Sequence, residues 1–452
     1  MARICALLNL LVFIKTSSII LPRKFYFEAR YLPGGLPSHP AHFVRDLVRD
    51  ALNLDEIYVS CEDARGGPAF HPAMMTALLL YAYTQGIYSS RRISRACEDR
   101  LDFHTVTASS KPDFRTISEF RKRHLKALSG LFVQVLKLCA GAGLVKLGHV
   151  ALDGTKIKAN ASKHKAMSYA RMQKAEIALA AEVAGWLKAA DTADRKDDAS
   201  LGTDQRGDEM PDWVADKQKR LAKIKEAKAA LEAEAKAQAD AKAKDNNDSS
   251  DDPGNGPRPG RKPKHPQGEP KPKAQRNFTD PDSRIMLGRD GFIQAYNGQA
   301  AVDATAQVIV AHSLSNSPAD APCLIPLTDA ITRNMGKSPK EISADAGYCS
   351  EANLAALKDR EISAYIATGQ AKRPTIGGKV GGPLTQAMRR KLKLGGHRSR
   401  YRLRKQLPEP VFGQIKQARG FRQFLLRGLD KVQHEWSLIC IAHNLTKLYA
   451  AG

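Results

Sequence analysis

The chain has 452 residues, 42% of them hydrophobic, enough for two or three domains around buried cores. A formal net charge of +24 exceeds what solubility needs and points to phosphate backbones or anionic surfaces as partners. Seven cysteines without CxxC or Cys/His ligand spacing exclude a disulfide frame and a zinc site, and no segment is long and apolar enough to cross a bilayer.

Residues 1–30 form an atypical leader. Arg3, an apolar run from Ile4 to Ile14 and a Thr-Ser-Ser stretch give Met1 to Leu21 the outline of a secretory signal. A polybasic chain has little reason to be exported, so a misplaced or altered start is the preferred reading and the cytoplasm, with its nucleoid, the expected location. Residues 31–145 follow as an all-α domain. Phe43, Leu47, Ala51 and Leu54 make one face of a helix from Ala41, and His71 to Tyr88 is a strongly apolar helix with Pro72 in its first turn. Ser89 to Arg100 is a short helix bearing Arg91 and Arg92. Pro112 to Phe132 reads as helical, with Ser118 as a cap candidate and Arg121, Lys122 and Arg123 exposed. Helices with basic outer faces predict DNA contact through Arg91, Arg92, Arg121 and Arg123; the plainer alternative is a bundle with a solvated basic face.

Residues 146–166 open an α/β core. Val150 to Asp153 is an apolar strand ending on a carboxylate, and Lys156 and Lys158 just beyond it are candidate DNA contacts. Asp-Gly is also the commonest hairpin turn pair, and on the local sequence alone that reading leads. Residues 167–244 are an Ala/Lys/Glu-rich helical insertion, Met172 to Ala189 and Trp213 to Lys244 broken by a polar run from Asp191 to Met210. Leu221, Ile224, Ala227 and Leu231 form a stripe that predicts a helical hairpin. Residues 245–276, rich in Pro, Gly and charge, read as a disordered basic linker.

Residues 277–452 complete the core. Asp280 and Asp282 flank a proline and read as turn residues. Gln294 to Val302 and Gln307 to Ser313 form a hairpin with Asp303 in its turn, and Asp320 reads as a helix cap after Pro318. Glu341 to Asp345 is a second strand ending on a carboxylate, followed by a helix from Glu351 to Asp359 and a strand from Ile362 to Ala367. Alternating strands and helices place Asp153 and Asp345 at the carboxyl ends of strands, the usual site position in an open sheet. Beyond a Gly-rich loop, Gln386 to Gln406 is the most basic stretch, with Arg402, Arg404 and Lys405 as DNA contacts. Glu409 sits at a helix entrance beside Pro410, and Lys416 lies two turns on, on the same face, as a phosphate contact or an exposed lysine. An amphipathic helix through Trp436, Ile439 and Leu445 ends the chain. Gly336-Lys337-Ser338 lacks the preceding glycine and strand of a P-loop, and no Ser/His or Cys/His arrangement stands out.

Two strand-end aspartates and a helix-entrance glutamate can converge at a sheet edge. Clustered carboxylates repel unless cations compensate them. Hard divalent ions take such oxygens, and two of them about 4 Å apart clamp an in-line phosphoryl displacement. This predicts metal-assisted phosphodiester cleavage.

The ordered set VALDGTKIKANAS, NFTDPDSRIM, YNGQAAVD, ISADAGYCSEANL and EPVFGQIKQARGFRQFLLRGLDKVQHEWSLICIAHN resembles the DDE transposases of bacterial insertion sequences. The resemblance runs from about Tyr31 to the C-terminus, outside the insertion and linker. It implies an InsH-like helical N-terminal domain and a ribonuclease-H-like core, with a mixed sheet flanked by helices. It also implies Asp153, Asp345 and Glu409 as catalytic and metal-binding residues, Mg²⁺ as cofactor with Mn²⁺ substituting, and strand transfer at terminal inverted repeats. The partners implied are double-stranded DNA, both ends and target, and a second copy of the chain on paired ends, with no membrane. The family signature Tyr-x2-Arg-x3-Glu-x6-Lys is met at Glu409 and Lys416, but Lys405 and Arg402 stand where Arg and Tyr are expected, with Tyr401 and Arg404 one place early. A catalytically inactive DNA-binding protein descended from such an element is the alternative.

Overall fold

A computed structural model describes residues 39–62, 70–201, 212–247, 268–288, 291–369, 381–395 and 400–451. The leader, most of the Pro/Gly-rich linker and most of the Gly-rich loop before Pro383 lie outside the described residues. The chain divides into two compact units, residues 1–160 with 295–452, and residues 161–294.

The first unit begins with helices α1 (Pro40–Asp50), α2 (Asp55–Glu62), α3 (Pro72–Thr84), α4 (Ser90–Asp99), α5 (Leu101–Thr107), α6 (Phe114–Arg123) and α7 (Leu125–Gly141). His39 and His71 cap α1 and α3 through their rings, each ahead of a proline in the first turn. α3 is buried almost all round, from Met74 to Tyr83, as its apolar run requires. The helical stretch from Pro112 to Phe132 is shared by two helices. His124 breaks it, buried, against Ser60 Oγ at 2.9 Å and Phe120 at 4.5 Å between ring centroids. The cap of α6 is Asp113, which accepts from the Arg115 amide at 2.7 Å, and not Ser118.

The sheet is built on β1 (His149–Lys158), with β5 (Gly291–Asp303), β6 (Ile309–Ser315), β7 (Glu341–Ala344) and β8 (Ser363–Ile366) in the order β6-β5-β1-β7-β8. β5 runs antiparallel to β1 and β6, whereas β7 and β8 lie parallel to β1 through crossovers carrying α10 (Leu324–Met335) and α11 (Glu351–Asp359). The β5–β6 hairpin is the one expected, and Asp303 closes it by accepting from the Leu147 and Thr305 amides, each at 2.8 Å.

After β8 come α12 (Pro383–Gly395), α13 (Leu403–Gln406), α14 (Pro408–Gly413) and α15 (Leu429–Ala450). Glu351 caps α12, accepting from the Leu384 and Thr385 amides at 3.1 and 2.9 Å. α15 is not amphipathic. Val432, Trp436, Ile439, Ile441, Asn444 and Leu445 are buried around its whole circumference, between α3, α7 and β6. Asn444 makes this possible by bonding the Ile309 amide and carbonyl at 2.9 and 2.8 Å, and Trp436 Nε1 donates to the Gln299 carbonyl at 3.1 Å. Through α15 the N-terminal helices and the sheet share one core.

The second unit holds β2 (Ala166–Ser168), α8 (Tyr169–Leu201), α9 (Asp212–Asn247), β3 (Gln275–Asn277) and β4 (Arg284–Gly288). Met172, Ile224, Ala227 and Leu231 pack α8 on α9, the hairpin that the stripe predicts. α8 continues to Leu201, through much of the polar run expected to break it. The linker is shorter than its composition indicates, because Gln275 to Asn277 pair with Ser168 to Ala166 and close the base of the arm. Asn277 and the Asp280–Ser283 turn are buried beside it, so the structural reading of Asp280 holds.

Candidate active site

Asp153 does not end its strand and is not a hairpin turn. β1 continues through Lys158, with Asp153 opposite Ala300 of β5. On its other side, however, β1 pairs with β7 only from His149 to Ala151, in the register Val150↔Ile342 and Ala151↔Ser343. Two residues further along that register, Asp153 faces Asp345, the first residue beyond β7. Parallel neighbours in register present side chains to the same face, so the pleat itself brings the two carboxylates together.

Arg404, from α13, occupies the gap. Its Nη2 lies 3.4 Å from Asp153 Oδ2 and 3.9 Å from Asp345 Oδ2. The arginine expected on the DNA-facing surface therefore holds the acid pair, with Tyr401 hydrogen-bonded to it. Asp153 is buried and its pKa is pushed up to about 6, chiefly by that burial, while Arg404 and the Gly154 amide at 2.9 Å pull it down and Asp345 raises it. Asp345 accepts from the Gly347 amide at 2.9 Å.

Beside the pair lies a carboxylate whose sequence role was read as a cap. Asp320 precedes a short turn, but its side chain caps nothing there. It accepts instead from Asn297 at 2.6 Å and Gln299 at 2.8 Å, with Lys156 Nζ at 3.4 Å. Glycines make room: a Cβ on Gly154 would lie 2.3 Å from Gln299 Nε2, and one on Gly347 would stand 3.0 Å from Asp345 Oδ1 and 3.1 Å from Asp320 Oδ2. Tyr348, buried, donates to Gln299 Oε1 and completes the network. The alternation Asn297-Gly-Gln299 on one face of β5 is the signal that could have found Asp320.

Glu409 is in the first turn of α14, as expected, with Pro408 at the helix start. It is exposed, and among the described residues no group of three acidic, His or Cys side chains is close enough to hold a metal ion. Lys416 is not the freely exposed lysine of the plainer reading. A π-helical turn from Gln414 to Ala418 takes up an extra residue, and Lys416 Nζ donates to the Lys156 carbonyl at 2.8 Å, with burial lowering its pKa. Arg121 is a further correction. It is 6% exposed, its guanidinium donating to Tyr88 O at 2.8 Å, Tyr83 Oη at 3.3 Å and Ser90 Oγ at 3.3 Å. Arg91, Arg92, Arg123, Lys158, Arg402 and Lys405 are exposed; Lys156 is half-buried.

Among the described residues no helix is long and apolar enough to cross a membrane. Neither a curated protein nor a solved structure matches the chain. Two family models do: Transposase domain (DUF772) over residues 35–123, and Transposase DDE domain over residues 371–449. The first spans the helices bearing Arg91 and Arg121, and the second spans Arg404 and Glu409. Both matched stretches, one near each end of the chain, are those of transposase families, and together they support an insertion-sequence DDE transposase.

Proposed function

We propose that the chain cleaves DNA at the terminal inverted repeats of its own element and joins the freed ends to target DNA, as a dimer on paired ends. The observation that carries this reading is the facing pair Asp153 and Asp345, with Arg404 between them, in a chain whose two ends match transposase families. The antiparallel neighbours β1, β5 and β6, with β7 and β8 added in parallel through crossovers, support a ribonuclease-H-like core.

The donor set fits Mg²⁺, a hard ion that binds through one or two carboxylates together with phosphate and water, and Mn²⁺ takes the same oxygens. Asp153 and Asp345 would hold it, with Glu409 as the third ligand. When bound, such an ion stabilises charge on the attacking and leaving oxygens of an in-line displacement. The chain's own residues do the rest. Arg404 offsets the repulsion between the two adjacent carboxylates and orients them in the free protein, and Asp153 becomes available as the pH rises through about 6. Exposed Lys158, Arg402 and Lys405 neutralise DNA phosphates.

The solvent-facing Glu409 favours one competing reading, a DNA binder without catalysis. Purified protein, Mg²⁺ or Mn²⁺ and a duplex carrying the element's ends separate the two. Nicking by the natural chain, lost in Asp153→Asn with DNA binding retained, supports the enzyme. Equal nicking by that variant removes Asp153 from the mechanism, and binding without nicking by the natural chain leaves the inactive descendant.

A further inference from the structure

Away from the aspartates, the first turns of α4 and α6 flank an open pocket of about 450 Å³. Its rim carries Arg91, Arg115 and Lys122 against the single acid Glu119, and Leu425 forms part of the far wall. Ser89, the residue before α4, makes no side-chain cap, and the first-turn amides of a helix have no partner within the helix itself. Arg121 lines the same pocket.

Arg121 points to what the pocket takes. Its acceptors are a phenol, a carbonyl and a hydroxyl, all neutral; its Nε has no acceptor among the described residues, and no carboxylate there lies within ion-pair distance. Glu435 acts on it only through its field, since both its oxygens accept from the Leu425 and Leu426 amides at 3.0–3.1 Å. A guanidinium 6% exposed, with only a distant carboxylate and no ion pair among the described residues, leaves positive charge at the floor of the pocket that an anion at the rim would offset. The rim is also partly apolar. Phe114, 36% exposed, holds the Arg91 and Arg115 guanidiniums at 5.3 and 5.7 Å from its ring centroid, and Leu425 is 37% exposed. Cations, first-turn amides and an accessible aromatic edge in a cavity of this size match a nucleotide, phosphate inward and sugar or base at the rim.

We propose that this pocket binds one nucleotide of a DNA strand, with its phosphate held by Arg121, Arg91 and the first turn of α4. The proposal rests on the reading of the chain as acting on DNA, but its test does not use cleavage. Full-length protein without divalent cation is titrated calorimetrically with dTMP, thymidine and inorganic phosphate, and dTMP is then competed against a labelled duplex. The expected result is that dTMP binds, thymidine binds about tenfold or more weakly, and Arg91→Gln and Phe114→Leu each weaken dTMP about tenfold while their unfolding midpoints stay unchanged. Phosphate binding that equals dTMP and ignores Phe114→Leu would reduce the site to an anion pocket and overturn the nucleotide assignment. Undiminished dTMP binding in Arg91→Gln, no dTMP binding at all, or no competition with the duplex would overturn the proposal. Both variants sit at the exposed rim, so the experiment does not depend on the buried Arg121 tolerating change. A chain that binds dTMP here yet never nicks DNA would sink the enzymatic reading and leave the pocket.

Discussion

Asp153 is a carboxylate that folding holds closer to its protonated form. Its value near 6 lies above the unfolded 3.8, so the protonated acid stabilises the fold below about pH 4, and that stability is lost as the pH rises through 6. Asp153→Asn is neutral throughout, so the stability of the natural chain relative to this variant should fall by on the order of 3 kcal/mol between pH 4 and pH 7 in urea titrations without divalent cation. A difference that stays flat with pH would mean that burial does not govern this group. Arg404→Gln removes the guanidinium from between two acids. At pH 7 it should cost about 1–3 kcal/mol, and it should move the Asp153 inflection above 6, because the remaining neighbour, Asp345, only repels. An unmoved inflection would show that the long Arg404 contacts carry little.

At the scale of elements, β1 decides the site because it has two unlike neighbours. Its antiparallel partner accompanies it to Lys158, while its parallel partner stops beside Ala151, and Asp153 falls in the step between them. The glycine after it is needed by the packing of the sheet face, where Gln299, Asp320 and Asn297 crowd the position of a Cβ. Gly154→Ala should therefore destabilise by about 1–3 kcal/mol, read as a lower urea midpoint with an unchanged slope. A neutral result would mean that Gln299 swings aside at no cost. α15 shows the converse, an apparently amphipathic sequence whose polar residues are buried because Asn444 and Trp436 find backbone partners.

At the scale of the whole molecule, residues 161–294 form their own compact unit with its own core of Met172, Ile224, Ala227 and Leu231. The base of that unit is closed by the Ser168↔Gln275 pairing. Replacing residues 169–274 by an Asn-Gly turn should remove one unfolding transition and leave the midpoint of the other unit unchanged. Loss of both transitions would show that the sheet depends on the arm for stability.

Local chemistry was enough for α1, α3 and α4, the β5–β6 hairpin, the Asp345 strand end and the stripe of α9, because apolar periodicity and turn residues act over a few positions. The sequence also singled out Asp153 and Asp345, through their motifs. It could not say that one lies mid-strand, that they meet through a register set by a partner 192 positions away, or that Arg404 stands between them. Burial of Arg121, the swing of Asp320 toward β5 and the bond from Lys416 to the Lys156 carbonyl belong to the same class. Each depends on which distant side chain offers a hydrogen bond or fills a space, and such partners are chosen only when the layers pack.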